Sequence, residues 1–75
     1  MKLCNLLDVI TGPTMIWIST GYEADGVFLG FAEDASANTP GEYLFGDVRA
    51  VYPEYYKAYG RTGISIIVEP YKSRP

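Results

Sequence analysis

The spacing of apolar residues predicts a short amphipathic helix at the start of the chain. Four of them recur at the i, i+3, i+4, i+7 spacing of one helical face: Leu3, Leu6, Leu7 and Ile10. Gly12 and Pro13 follow, and proline cannot continue a helix. We therefore predict a helix over residues 2–10. Because so short a helix does not persist alone in water, its leucine face should pack on the rest of the domain.

Four later segments have the composition or alternation of β-strands. Residues 14–20 are rich in β-branched and aromatic side chains, and residues 27–32 resume an apolar run after a glycine-containing turn at 21–26, so the two predict a β-hairpin. Residues 47–52 and 64–69 alternate with period two. The residues expected to share one side of each strand are Val48, Ala50 and Tyr52 in the first, and Ile64, Ile66 and Val68 in the second.

The middle of the chain predicts a loop and then one helical turn. Residues 33–39 are small and polar, which is typical of a surface loop. Thr39 with Glu42 three positions later matches a capping box, and Pro40 suits the first helical position because its missing N–H costs nothing there. We predict one helical turn near residues 40–45, ended by Gly46.

The predicted order of elements indicates an α+β fold. It consists of an antiparallel sheet of about four strands, with the short N-terminal amphipathic helix on one face. The 75 residues make one small domain, 1–75, whose tail at 70–75 is expected to fray. A domain of this size has a narrow stability margin, and its sheet would have two weakly charged edges. We therefore expect a homodimer formed edge to edge or face to face.

The composition argues against most catalytic and metal chemistry. The chain has no histidine and one cysteine, Cys4, which excludes an internal disulfide and a Cys/His zinc site and leaves that thiol without a usual catalytic base. We assign no catalytic residue, metal ligand, cofactor or small-molecule substrate. No signal-peptide pattern or membrane-length apolar run is found, and a cytoplasmic protein is expected.

Charge is distributed unevenly along the chain. Residues 1–48 hold one lysine against seven acids, whereas residues 49–75 hold five cations against two acids. Such asymmetry suggests an oriented charged partner, unless the fold intermixes the two halves. Four acids of the first half could hold Mg²⁺ or form an anionic surface, although solvated turn residues are the simpler interpretation: Glu23, Asp25, Glu33 and Asp34.

The most distinctive segment lies between the last two predicted strands. Four of the seven tyrosines fall within eight residues there, beside two cations. Rings and cations in a loop, where turns usually carry Ser, Asn and Gly, indicate a contact surface. The candidate binding residues are Tyr52, Tyr55, Tyr56, Lys57, Tyr59, Arg61 and Arg49.

This tyrosine segment suits more than one role. The rings could stack on nucleobases while Arg49, Lys57, Arg61 and Lys72 neutralise phosphates, or they could anchor a protein interface. Two or three of the rings could instead cover the end of the sheet as an accessory core. Trp17 is interpreted as the largest piece of the main core.

Several short phrases resemble one group of proteins. They are Leu6-Leu7-Asp8-Val9-Ile10-Thr11-Gly12, Gly30-Phe31-Ala32, Pro40 before Val48, and Val51-Tyr52-Pro53 followed by Gly63-Ile64-Ser65-Ile66-Ile67-Val68. In this layout the chain resembles small proteins encoded by phages and integrated elements of clostridial gut bacteria. That group includes an anti-CRISPR whose sheet resembles the PC4 single-stranded-DNA-binding fold, although the leading helix here departs from the PC4 order.

The resemblance implies a non-enzymatic phage or mobile-element accessory protein. Such a protein would bind a host protein or nucleic acid and inhibit a host defence system. Two alternatives remain open. One is a PC4-like single-stranded nucleic-acid-binding module that uses the tyrosine segment, and the other is a metal-dependent DNA nickase that uses the first-half acids.

Overall fold

A four-stranded mixed sheet with short helices forms the part of the chain that the computed structural model describes, residues 1–10, 12–21 and 26–71. The α+β class is therefore confirmed. In chain order the elements are α1 Leu3–Leu7, β1 Met15–Ser19, β2 Val27–Phe31, α2 Ala32–Asn38, α3 Gly41–Leu44, β3 Asp47–Tyr56 and β4 Arg61–Glu69.

The strand order in the sheet is β2-β1-β4-β3. The β1–β2 hairpin is antiparallel as predicted, and so is β3–β4, but β1 and β4 are parallel. The expectation of a purely antiparallel sheet is wrong at this one pair. Because residues 66–68 of β4 are buried in succession, that strand needs neighbours and cover on both sides, which a central position provides. β3 carries Pro53 and lies at an edge, where proline is tolerated.

The helices cover one face of the sheet. Their apolar side chains join those of the strands in one buried cluster: Leu3, Leu7, Ile16, Ile18, Leu29, Ala32, Ala35, Ile66 and Val68. Ile64 and Val48 pack against that cluster, so the predicted inward side of β4 is confirmed. The N-terminal helix is also confirmed, although it is shorter than its apolar spacing predicts.

Residues 33–39 were predicted to be a loop, and this prediction is wrong for most of the segment. They belong mainly to α2, whose Ala32 and Ala35 are buried three positions apart on the core side. Small side chains let this helix lie close to the sheet, and the Nδ2 of Asn38 donates to the Leu29 carbonyl oxygen at 2.7 Å. Glu33 and Asp34 occupy the first turn of α2, where the helix dipole favours acids.

The predicted helical turn at 40–45 is confirmed as α3, but the capping box is not formed. Pro40 is the N-cap residue, and no side chain caps the helix. Thr39 instead donates its hydroxyl to the Ala35 carbonyl oxygen at 2.6 Å and so belongs to the end of α2.

A register shift changes which β3 residues share a face. Val48 is paired with Val68 and Ala50 with Ile67, so Arg49 is the extra residue of a bulge. Val48 therefore faces the helices, whereas Ala50 and Tyr52 face the other way, and the prediction that the three share one side is wrong.

Three predicted features fall partly outside the described residues. The first is the end of the N-terminal helix, because residue 11 is not described. The second is the turn at 21–26, with Glu23 and Asp25, and the third is the end of the tail, with Lys72. Among the described residues, no helix is long and apolar enough to cross a membrane.

Candidate functional site on the open face of the sheet

The sheet face opposite the helices is rich in aromatic side chains. Strand alternation, the register shift in the β1–β2 hairpin and the turn after β3 bring six rings to this side. We call it the aromatic face, and its rings are Trp17, Phe28, Phe31, Tyr52, Tyr56 and Tyr59. No helix of the described residues packs on this side, because all three helices contribute to the cluster on the other face. The rings therefore border solvent.

Trp17 and Tyr56 form the centre of the aromatic face. Their ring centroids lie 3.6 Å apart at an interplanar angle of 15°, a stacked arrangement. The indole lies over Gly63 of β4, where a Cβ atom would stand only 3.0 Å from Trp17 Cζ3. A glycine in the central strand thus leaves room for the largest side chain of the chain to approach the sheet closely.

Two rings extend this centre toward the β2 edge. Phe28 lies 4.5 Å from Trp17 between ring centroids, and Tyr59, from the turn after β3, meets Trp17 edge-on at 5.9 Å. These outer rings remain accessible, since Phe28 is 41% and Tyr59 is 56% exposed. They offer apolar surface, and a ring side chain loses little conformational freedom when it binds a partner.

A hydrogen-bonded network fixes the position of Tyr56. Its hydroxyl lies 2.5 Å from Ser65 Oγ, and Ser65 Oγ donates to Glu54 Oε2 at 2.8 Å. Burial raises the pKa of the Tyr56 phenol, and the Glu54 carboxylate adds to the rise, while the hydrogen bond with Ser65 opposes it. Tyr56 is therefore a neutral, positioned ring at physiological pH.

The aromatic face also has buried support beneath it. Met15 and Ile67 point to this side by their register, opposite Phe31 and Ala50, and are 1% and 5% exposed. They lie outside the helix-side cluster. The aromatic face therefore carries buried apolar side chains as well as partly exposed rings.

Cations lie at the hairpin end of the aromatic face. The Arg61 guanidinium carbon is 5.8 Å from the Phe31 ring centroid, a cation–π distance, and Lys57 is exposed in the turn. Neither forms an ion pair within the part of the chain that the structure describes. Arg49 is paired with Glu69 instead, and Lys2 with Asp47 at 3.2 Å, which lowers the pKa of the Asp47 carboxyl.

The structure brings together only part of the predicted tyrosine segment. The expected loop is mostly strand, because β3 continues to Tyr56 and the turn begins after it. Strand alternation then separates the rings. Tyr52, Tyr56, Tyr59 and Arg61 share the aromatic face, whereas Tyr55 is paired with Thr62 on the opposite side and is 60% exposed.

Three rings of the aromatic face were absent from the predicted site. Phe28 and Phe31 are not among the residues predicted from the sequence. The prediction that Trp17 belongs to the main core is wrong, because Trp17 lies on the other face of the sheet. Alternation in β1 carries the signal for Trp17, because its neighbours Ile16 and Ile18 occupy the core side. In β2, strict alternation would separate Phe28 from Phe31, and only the register shift between Ile16 and Trp17 brings both rings to the face of Trp17.

The candidate metal and thiol chemistry finds little support among the described residues. No group of three potential ligands that could hold a metal ion occurs there. Glu33 and Asp34 lie on α2, on the helix side of the molecule. Cys4 is a half-buried free thiol on α1.

Comparisons of the chain with protein-family models, with curated proteins and with solved structures found no significant match.

Proposed function

We propose that this chain is a non-enzymatic accessory protein of a phage or mobile element that binds a protein partner through the aromatic face. The observation that carries the proposal is the set of partly exposed rings opposite the helices, held in place by the Trp17–Tyr56 stack. Large aromatic side chains and arginine are the usual anchors of protein interfaces.

The charges near the rings support a protein rather than a nucleic acid. Residues 47–71, which include the β3–β4 hairpin, carry three cations and three acids, and the whole chain has a net charge of −3. Nucleic-acid affinity depends on cations that displace counterions from phosphates, and this surface has few to offer. In addition, one face each of Trp17 and Tyr56 is used in their mutual stack and is closed to a base.

The resemblance to mobile-element proteins supports the biological role. A small binding protein of that kind would act in the cytoplasm of the host, and its partner would be a component of a host defence system. Binding through a rigid apolar surface can inhibit such a component by occlusion and needs no catalytic group.

Site-specific photocrosslinking tests the proposal. A photoreactive phenylalanine analogue is placed at position 59, on the aromatic face, and separately at position 55, on the opposite side of β3. We expect position 59 to give one discrete adduct with a host protein in cells, and position 55 to give none. The adduct at position 59 should disappear when Phe28 is changed to Ser, because that variant removes a neighbouring ring from the same surface.

The two positions provide matched controls, since both side chains are tyrosines of similar exposure in the same hairpin. Adducts from position 55 alone would place the interface on the other side of the molecule. Equal labelling of many proteins from both positions would mean that the surface has no specific partner. Either outcome would overturn the proposal.

A second candidate function is binding of single-stranded nucleic acid. The supporting observation is that Lys57 and Arg61 lie beside the rings and form no ion pair among the described residues. Exposed rings and cations together can hold bases and phosphates without sequence preference. Titration with single-stranded oligothymidine at physiological and low salt tests this function.

A further inference from the structure

We infer that a second copy of this chain covers the aromatic face when no other partner is bound, forming a two-fold dimer in which the two sheets pack face to face. The inference concerns the surface on which the proposed function rests, and adds how access to it is controlled. It follows from three features: the edges of the sheet, the area of the rings and the charges on the face.

The outer edge of β2 is a poor site for pairing with another strand. β2 has five residues and a register shift against β1, near Leu29 and Gly30. The Asn38 side chain donates to the Leu29 carbonyl oxygen, so one β2 acceptor is already used. Short, bulged and covered edges resist strand addition.

The outer edge of β3 is closed by other means. Residues 1 and 2 cover its start, where Lys2 bridges to Asp47 and the Val48 N–H donates to the Met1 carbonyl oxygen at 2.8 Å. The bulge at Arg49 and the missing N–H of Pro53 interrupt the remainder. Edge-to-edge pairing is thus opposed at both edges, and face-to-face packing is the remaining arrangement of the two expected from the sequence.

The aromatic face offers enough apolar area to contribute substantially to a dimer. Phe28, Phe31 and Tyr59 are 41%, 36% and 56% exposed. With roughly 200 Å² for a fully exposed ring side chain, these three expose about 270 Å². That is about a third of the ~800 Å² that each partner buries in a standard interface, before other residues of the face are included. Sheets that pack in this way lie ~10 Å apart.

The charges on the face suit a two-fold axis. An isologous interface applies the same patch to itself, so it needs groups of both signs on that patch. Glu54 is paired with Gly63 across β3–β4, and Arg61 lies two residues before Gly63 on the same face. In a second copy turned by 180°, each Arg61 can lie near Glu54 of the other copy. This pairing reduces the repulsion that two faces of like charge would experience.

The consequence is a competition. Because dimer formation and partner binding use the same rings, a partner must displace the second copy. The dimer would then keep the apolar surface covered until a partner is present.

Sedimentation velocity of the purified full chain over a micromolar to millimolar concentration range tests the inference. We expect the wild-type protein to pass from monomer to dimer as its concentration rises, with Trp17 emission shifting to shorter wavelength as water leaves the indole. Because Trp17 is the chain's single tryptophan, the emission reports on this face alone. The double variant Phe28→Ser, Tyr59→Ser should weaken dimerisation at least tenfold.

Tyr55→Ser is the matched control, because it removes an equally exposed ring from the opposite side of β3 and should leave dimerisation unchanged. Far-UV circular dichroism establishes that the variants are folded. A monomer at every concentration, or a dimer insensitive to the double variant, would overturn the inference. A dimer lost in Tyr55→Ser would do the same. None of these results depends on the photocrosslinking experiment, so the two proposals can fail separately.

Discussion

Gly63 determines how closely the indole of Trp17 approaches the sheet. A Cβ atom at this position would lie 2.8 Å from the Met15 carbonyl oxygen and 3.0 Å from Trp17 Cζ3. The strands cannot absorb such a contact without moving apart. We expect Gly63→Ala to lower the free energy of unfolding by about 1–3 kcal/mol, the usual cost of overpacking. Urea denaturation followed by circular dichroism measures this change, and Trp17 emission should shift in the folded variant.

Gly41→Ala is a suitable control for that substitution. An added Cβ at Gly41 meets nothing within 4 Å, and Gly41 has no positive φ. This change should leave stability equal or raise it by up to ~1 kcal/mol, because alanine restricts the unfolded chain. Equal losses in both variants would show that the effect at Gly63 does not come from contact with Trp17 and Met15.

The phenol of Tyr56 makes stability sensitive to alkali. Because burial and Glu54 raise its pKa in the folded protein, the unfolded chain releases this proton at lower pH than the folded chain does. The contribution of Tyr56 is therefore fully present below the ordinary tyrosine pKa of about 10 and is lost as the pH rises through the higher folded value. We expect the free energy of unfolding to fall with rising pH in this range, and to fall less steeply in Tyr56→Phe.

Denaturation curves at several alkaline pH values measure that slope, with Tyr55→Phe as control. The Tyr56 hydroxyl contacts Ser65 and Glu54, whereas the Tyr55 hydroxyl does not hydrogen-bond to either residue. Tyr55→Phe therefore controls for the removal of a tyrosine hydroxyl that takes no part in the Ser65–Glu54 network. If Tyr56→Phe kept the full slope, the alkaline loss would have to arise from other groups.

At the scale of elements, local patterns predicted most of the fold. The helical spacing of the leucines in α1 and the period-two alternation in β4 are local properties, and both elements formed at those positions. The turn at α3 was likewise indicated by Pro40 and Gly46. Each of these signals lies within about ten residues of the element that it predicts, so no knowledge of distant partners was needed.

Elements that depend on distant contacts were not predicted. α2 has a polar, loop-like sequence, and it is stabilised by burying Ala32 and Ala35 on the sheet and by the bond from Asn38 to β2. The parallel pairing of β1 with β4 joins segments some fifty residues apart, Ile16 with Ile64 for example. Such tertiary interactions override local propensity, and no single segment encodes them.

The candidate site was predicted in part for the same reason. The tyrosine segment was recognised from its composition, but strand alternation places Tyr55 apart from Tyr56, and the sheet adds Trp17 and Phe28 from the first hairpin. The sequence predicts that the third strand ends at Tyr52, whereas β3 continues to Tyr56. With β3 extended to Tyr56, alternation assigns Tyr52, Tyr55 and Tyr56 to their faces.

At the scale of the whole molecule, the described residues place several acids on the helices and two cations without an ion pair at the turn between β3 and β4. Within the described residues, four acids lie on or next to the helices: Asp8, Glu33, Asp34 and Glu42. The free cations Lys57 and Arg61 lie at the hairpin end. An anionic ligand approaching the rings would meet these two cations locally and net repulsion from the remainder of the protein.

This charge distribution leads to an expectation for nucleic acid. Titration with single-stranded oligothymidine, followed by Trp17 fluorescence, should give no saturable change at physiological salt. Any binding at low salt should involve about two phosphates, which corresponds to a slope of log K against log salt concentration of roughly −1.4. The double variant Lys57→Glu, Arg61→Glu should abolish that residual binding, while Lys2→Glu, remote from the rings, should not. Saturable quenching of Trp17 at physiological salt, lost in the double variant, would favour the nucleic-acid function over the protein-binding one. Stacking of bases on the exposed rings of Phe28 and Tyr59, which adjoin Trp17, would then supply affinity that the two cations cannot.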